Sequence, residues 1–115
     1  LTEPFVSWCV SRDIDPAAGL FLSASMPCRD VESAKGVFSG ARGGGRLSDV
    51  ASNRGASGID GVVSSAIGYA AGLGAPVTLL IGDMATLHDL GSLHALRGLD
   101  ATSHPVTVVC VNNGG

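Results

Sequence analysis

Positive charge is scarce in this sequence. Seven Lys and Arg stand against ten Asp and Glu, a formal net charge of −3, and no basic footprint is available to neutralise a phosphate backbone, which argues against nucleic acid as a partner. Aromatic residues reach only 4%, so a core must be built from Val, Leu, Ile and Ala. The three cysteines, Cys9, Cys28 and Cys110, are odd in number, far apart and without a Cys-x-x-Cys pair. That argues against a disulfide framework or a zinc site and suits a reducing compartment. His88, His94 and His104 also lack the spacing of a zinc-binding helix and read as surface or satisfied polar residues.

Two nucleotide signatures are missing as well. Gly43-Gly44-Gly45 is not followed by Gly-Lys-Ser/Thr, so the glycine-rich stretch from Gly36 to Arg46 reads as a surface loop and not as a phosphate loop. Gly68-x-x-x-Gly72-x-Gly74 fails the Gly-x-Gly-x-x-Gly order of a dinucleotide turn, which disfavours nicotinamide and flavin cofactors. From Gly61 to Gly82 no residue is charged, and that length could cross a bilayer. Ser64, Ser65, Gly68, Gly72, Gly74, Pro76 and Thr78 lower its hydropathy and divide it, so a buried helix, a turn and a central strand are expected instead of a membrane span. The sequence has no starting Met and no basic or Arg/Ser-rich leader. It is expected to begin inside a larger protein and to stop early.

What is present is a glycine-rich aliphatic chain: 17 glycines and 45% hydrophobic residues among 115. This composition suits one α/β domain, or part of one. Thr2-Glu3-Pro4 opens a helix with Thr2 as N-cap, Phe5, Trp8 and Cys9 supply its apolar face, and it ends near Arg12. Leu20 to Ala24 reads as the first strand, followed by a short helix from about Cys28 to Lys35, and a short strand is expected near Asp49 to Ser52. A helix from Gly61 to Leu73 has little bulk at Ala66, Gly68, Ala70, Ala71 and Gly72, which makes Gly68-x-x-x-Gly72 a packing surface. Leu79-Leu80-Ile81 and the β-branched run Val106 to Val111 read as buried parallel strands. Met84 to Leu99 carries Leu87, Leu90, Leu93 and Leu96 at helical spacing and forms the crossover between them. The fold class is therefore α/β, a three-layer sandwich with a mostly parallel sheet.

In such sheets ligands sit at the carboxyl ends of the strands. Asp83 ends one run, and Asn113 and the backbone carbonyl of Gly115 end the other. Together they offer three hard oxygen donors, about what an octahedral Mg2+ needs when it also binds a water and two phosphate oxygens. The helix after Gly82-Asp83 would aim N–H groups at the same diphosphate. On the residues alone, the plain reading is that Asp83 is only an N-cap and Asn112-Asn113 only a turn, since strand-end Asp and Asn are common. Ser25 and Arg29 fall in the loop after the first strand, where a ligand belongs; a capping serine and a solvated arginine are the plain alternative.

Gly82-Asp83 with Asn112-Asn113 resembles the cofactor motif of thiamine-diphosphate-dependent enzymes. Ser52-Asn53-Arg54-Gly55-Ala56-Ser57-Gly58-Ile59-Asp60-Gly61, Leu87-His88-Asp89-Leu90 and Asn112-Asn113-Gly114-Gly115 narrow the resemblance. They are similar to the synthases that make 2-succinyl-5-enolpyruvyl-6-hydroxy-3-cyclohexene-1-carboxylate in menaquinone and phylloquinone biosynthesis. The resemblance runs over nearly the whole chain, from Leu1-Thr2-Glu3-Pro4 through Ser25-Met26-Pro27 to its end.

The resemblance implies a transferase that decarboxylates 2-oxoglutarate and adds the succinyl unit to isochorismate. It implies thiamine diphosphate with Mg2+ or Mn2+ as cofactors, the metal held by Asp83, Asn113 and the Gly115 carbonyl. Gly82, Asp83, Met84, Asn113 and Gly115 would contact the cofactor, and Ile59 would be the apolar wedge that keeps it bent, with a plain core residue as the alternative. Ser25 and Arg29 would hold a substrate carboxylate, and Arg54 would face the acidic substrates.

No catalytic residue is expected within this chain. The glutamate that activates the cofactor belongs to a separate pyrimidine-binding domain, usually of the partner subunit, whereas Glu3 and Glu32 read as solvated helix residues. Residues 1–115 are thus expected to be a partial diphosphate-binding domain, without the pyrimidine-binding and central domains and inactive alone. The whole enzyme would be a homo-oligomer, a dimer or tetramer, in the cytoplasm of a bacterium or the plastid of a plant or alga. The competing readings are another 2-oxo-acid enzyme resembling acetolactate synthase, and a degenerate interaction domain.

Overall fold

The computed structural model describes residues 2–38, 49–53, 58–100 and 102–114. In chain order they form α1 (Glu3–Asp13), β1 (Gly19–Leu22), α2 (Met26–Phe38), β2 (Val50–Ser52), α3 (Val62–Leu73), β3 (Val77–Gly82), α4 (Asp83–His88), a 3-10 helix (Leu90–Gly98) and β4 (Val106–Val111). The strands make one four-stranded sheet in the order β2-β1-β3-β4, and every pairing is parallel.

Side chains alternate across this sheet, as strand geometry requires. Leu20, Leu22 and Leu80 face α1 and α2 and pack with Val31, Val6, Val10 and Ile14. Phe21, Val77, Leu79 and Ile81 face the opposite way and meet Val62, Val63, Ala66, Ile67 and Ala70 of α3. The result is the expected three layers, all-parallel among the described residues. Close approach is needed at Gly19, where a Cβ would lie 2.7 Å from Leu73 Cδ2 and 2.8 Å from Tyr69 Cε1. Helix α3 stops at Gly74, whose φ of 67° is left-handed and whose N–H reaches the Ala70 carbonyl at 3.0 Å.

Several elements depart from the sequence reading. β1 is Gly19–Leu22 and not Leu20 to Ala24, and α2 runs from Met26 to Phe38, longer at both ends than expected. The apolar face of α1 is Val6 and Val10 with the following Ile14, not Phe5, Trp8 and Cys9. Phe5 is exposed and Trp8 lies under the Arg12 guanidinium at 4.4 Å; the buried side adds the small Ser7, where α1 runs against α2. Gly68 and Gly72 are not a packing surface either. Both are exposed, with nothing within 4 Å of an added Cβ, and the contact face of α3 is its Val, Ile and Ala residues.

The crossover from Met84 to Leu99 is not one α-helix but the six-residue α4 and then the 3-10 helix. The break falls at Asp89, whose carboxylate is drawn away to other partners described below. A 3-10 helix eclipses residues three apart, which keeps Leu90, Leu93 and Leu96 in one row; Leu96 and the following Leu99 pack against the core.

Candidate functional site

The chain leaves β1 in one direction to form β2 and returns across it to β3, so the strand order reverses between β1 and β3. Outside the carboxyl ends at such a reversal a parallel sheet opens a crevice. A cavity of about 210 Å³ lies there, and Ser25, Ile59, Gly82, Asp83, Met84 and Asn113 all line it. A more open hollow of about 610 Å³ adjoins it and shares Glu3, Met26, Val111 and Asn113.

Each wall has a local cause. After β1, the Ser23 N–H bonds to the Leu80 carbonyl at 3.0 Å and the Ser25 N–H to the Ser23 carbonyl at 2.8 Å. This tight turn sets Ser25 just ahead of α2. β3 ends at Gly82, the residue preceding α4, with Asp83 as the first helical residue; the Asp83 Oδ1 accepts the Met84 N–H at 2.9 Å. Gly82 pairs in register with Val111 of β4, so Asp83 and Asn113 leave adjacent strands side by side. Asp83 is thus not the N-cap. The helix dipole expected behind a diphosphate is correspondingly small, because α4 is short and the Met84 N–H is already engaged.

The Gly58–Gly61 segment brings Ile59 to the cavity, where it is 37% exposed and outside both core clusters, which removes the plain core reading. Two consecutive residues at the end of α4 hold this segment. His88 Nδ1 meets Asp60 Oδ1 at 2.9 Å, and Asp89 Oδ2 accepts the Val63 N–H at 2.6 Å, capping the start of α3. Burial pushes the Asp89 carboxyl up, but hydrogen bonds from Ser92 and from the backbone N–H groups of Val63, Gly61 and Ser64 outweigh it and leave it below its ordinary value. Leu87-His88-Asp89-Leu90 is therefore a clamp between α4 and the loop before α3. A polar residue inside an apolar row was the signal for Asp89, and sequence reasoning passed it over.

Arg29 is exposed on the first turn of α2 and is not part of the cavity wall. Arg54 and Gly115 lie outside the described residues, and with them the third oxygen donor. Asn53, at the end of β2, is tied to α3 through its Nδ2, which donates to Ser65 Oγ at 3.1 Å.

Two acidic residues at the cavity were not foreseen. Glu3 lines it and accepts the Asn113 Nδ2 hydrogen bond at 2.8 Å, so it is not a solvated helix residue. Asp30 is only 6% exposed, and its Oδ2 has no hydrogen-bond partner. Burial first, and then the Glu3 charge, raise its pKa.

The donor chemistry suits a hard divalent cation. Asp83 offers a carboxylate and Asn113 an amide oxygen, the ligand types that Mg2+ and Mn2+ take. No group of three or more His, Cys, Asp or Glu among the described residues is arranged to hold a metal, so a cation here would rely on amide, carbonyl and phosphate oxygens for the rest of its shell. Glu3, Asp30 and Asp83 would repel a bare diphosphate, and a metal between them reverses the sign of that interaction. No helix among the described residues is long and apolar enough to cross a membrane.

No protein-family model matches the chain. It is 50% identical over all 115 residues to the 2-succinyl-5-enolpyruvyl-6-hydroxy-3-cyclohexene-1-carboxylate synthase of Prosthecochloris aestuarii, and 50% identical over the same length to that of Rubrobacter xylanophilus. The synthase of Myxococcus xanthus is 44% identical, again over the whole chain. In each case the chain spans 18% of the relative's length. Over its whole length the chain is thus similar to a segment of the 2-succinyl-5-enolpyruvyl-6-hydroxy-3-cyclohexene-1-carboxylate synthases.

Proposed function

We propose that this chain is the diphosphate- and metal-binding part of a thiamine-diphosphate-dependent synthase that joins the decarboxylated succinyl unit of 2-oxoglutarate to isochorismate. The observation that carries the reading is the convergence of Asp83, Asn113 and Ile59, from separate stretches of sequence, on one cavity at the reversal of the sheet. Asp83 and Asn113, with the Gly115 carbonyl, hold Mg2+ or Mn2+, and Gly82 and Met84 flank the diphosphate. Ile59 supplies a stiff apolar surface against which the cofactor is held. When bound, thiamine diphosphate supplies the electron sink for decarboxylation of a 2-oxo acid. Ser25 at the cavity is assigned to a substrate carboxylate, and so, on the sequence resemblance, are Arg29 and Arg54, whose planar guanidinium is the suited donor.

The acid that activates the cofactor comes from a pyrimidine-binding domain elsewhere in the complete protein, which acts as a homo-oligomer in the bacterial cytoplasm. The relatives' names support the synthase reading, and the chain spans 18% of their length. The test is carbon dioxide release by the complete protein supplied with Mg2+, thiamine diphosphate, 2-oxoglutarate and isochorismate. Turnover is expected with 2-oxoglutarate, and Arg29→Ala should lower kcat/KM for it by about 30- to 150-fold, the loss of a charge-assisted contact. Release from pyruvate but not from 2-oxoglutarate, or a change in the variant below about threefold, would contradict the substrate assignment.

A further inference from the structure

We infer that Glu3 is a positioning residue for the metal site, fixing which arm of the Asn113 carboxamide is presented to the cation. The inference rests on the reading of Asn113 as a metal ligand. Asn113 Nδ2 donates to Glu3 Oε1 at 2.8 Å, joining the first turn of α1 to the residues after β4. A carboxylate in this role only accepts, so the nitrogen must be the arm that faces it; two oxygens at that separation would repel. The amide oxygen then lies on the opposite arm of the planar group. That is the arm that matters, because hard divalent cations bind amide oxygens and not amide nitrogens.

Asn113 is exposed just beyond β4, and the two arms of its carboxamide are nearly equal in shape but opposite in hydrogen-bonding character. Glu3 is well placed to select. It is half-buried, begins a helix whose Val6 and Val10 pack into the core, and lines the same cavity as Asp83 and Asn113. The Thr2 carbonyl accepts N–H groups from Phe5 and Val6, both at 3.1 Å, which pins the start of that helix. A negative charge on the NH2 side also polarises the amide and makes its oxygen a better donor to a cation, as carboxylates do behind ligating histidines.

The test is Mn2+ affinity, measured by the electron paramagnetic resonance signal of unbound Mn2+ in the complete protein with saturating thiamine diphosphate. Four variants are compared with the parent: Glu3→Ala, Glu3→Gln, Asn113→Ala and the double variant Glu3→Ala/Asn113→Ala. Glu3→Ala should weaken Mn2+ binding by about 10- to 100-fold, the usual effect of losing a residue behind a ligand. Glu3→Gln keeps an acceptor without the charge, so it should fall between Glu3→Ala and the parent. The double variant should bind no worse than Asn113→Ala, because Glu3 acts only through that residue.

A Glu3→Ala affinity within about threefold of the parent overturns the inference. So does an equal further loss in the Asn113→Ala background, which would make Glu3 an independent ligand or a purely structural residue. If Glu3→Ala does not fold, Glu3→Gln decides, and an unchanged affinity there overturns the inference. A parent protein that takes up no Mn2+ with thiamine diphosphate removes the functional reading, and this inference with it. A parent that binds while the Glu3 variants match it removes this inference alone.

Discussion

Helix α3 and the crossover from Asp83 to Gly98 both place apolar residues at helical spacing on the same side of the sheet. On α3 the residues Val62, Val63, Ala66, Ile67 and Ala70 are all buried. On the crossover Met84, Leu87, Leu90 and Leu93 stay between 41% and 64% exposed in this chain. The first element is held by burial against Phe21, Leu79 and Ile81. Polar attachments, the Asp89 cap on α3 and the His88–Asp60 pair, do much of the holding of the second, with only its Ala85 and Leu96, and the following Leu99, reaching the core. Spacing defines a face; what covers that face is decided by parts of the fold remote in sequence.

Substitutions can sharpen this contrast leucine for leucine. Leu79 is fully buried at 0% exposure, so Leu79→Ala should cost about 2–5 kcal/mol in denaturant unfolding through lost transfer energy and the cavity left behind. A cost below about 1 kcal/mol would mean that the centre of the sheet is not the packed core described here.

Asp89 comes next. Asp89→Ala removes the cap on α3 together with the Ser92 contact and should cost about 2–4 kcal/mol near neutral pH. Its folded pKa lies below the ordinary 3.8, so the contribution is present above that value and is lost as pH falls through the folded pKa. Parent and variant should therefore converge in stability in strong acid. A gap that persists undiminished there would show that the charge is not what holds the two elements together.

Asp30 has the opposite sign. Its folded pKa is raised above 3.8 by burial, so ionising it becomes progressively costly as pH rises from that value towards the folded one. Asp30→Asn should gain about 1 kcal/mol at pH 7, since a buried carboxylate with one oxygen lacking a hydrogen-bond partner among the described residues is replaced by a neutral group, and the gain should vanish on acidification. Loss of stability at pH 7 would assign Asp30 a charge partner beyond the ion pairs formed among the described residues. The smallest effect is expected at the exposed Leu87, where Leu87→Ala should change stability of this chain by no more than about 0.5 kcal/mol. A cost comparable to that of Leu79→Ala would abolish the comparison.

Much of the fold was legible because its signals are local. The β-branched run from Val106 and the apolar run ending at Ile81 became paired parallel strands, and Gly61 and Gly74 bound α3 closely where expected; β4, expected to be buried, ends the sheet order with no buried residue. Misreadings arose where tertiary contacts override a local cue. Large aromatics suggested the wrong face of α1, and leucine spacing suggested one long crossover helix where Asp89 interrupts it. The gathering of Asp83, Asn113 and Ile59 at one cavity could be read from motif and strand ends. Glu3 could not, because its partner lies at the other end of the chain, and no periodicity reports such a pairing. Asp30 was hidden for the same reason, since its burial depends on how α1 lies against α2.

Whether Asp83 and Asn113 form a metal-dependent diphosphate site is decided by calorimetric titration of thiamine diphosphate into the complete protein. With Mg2+ present the parent should bind. Chelating the metal, or Asp83→Ala with the metal present, should each weaken binding by roughly 100-fold or more, about 3 kcal/mol of charge-assisted contact. Binding that survives chelation unchanged, with Asp83→Ala within about threefold of the parent, would show that these two residues do not form such a site.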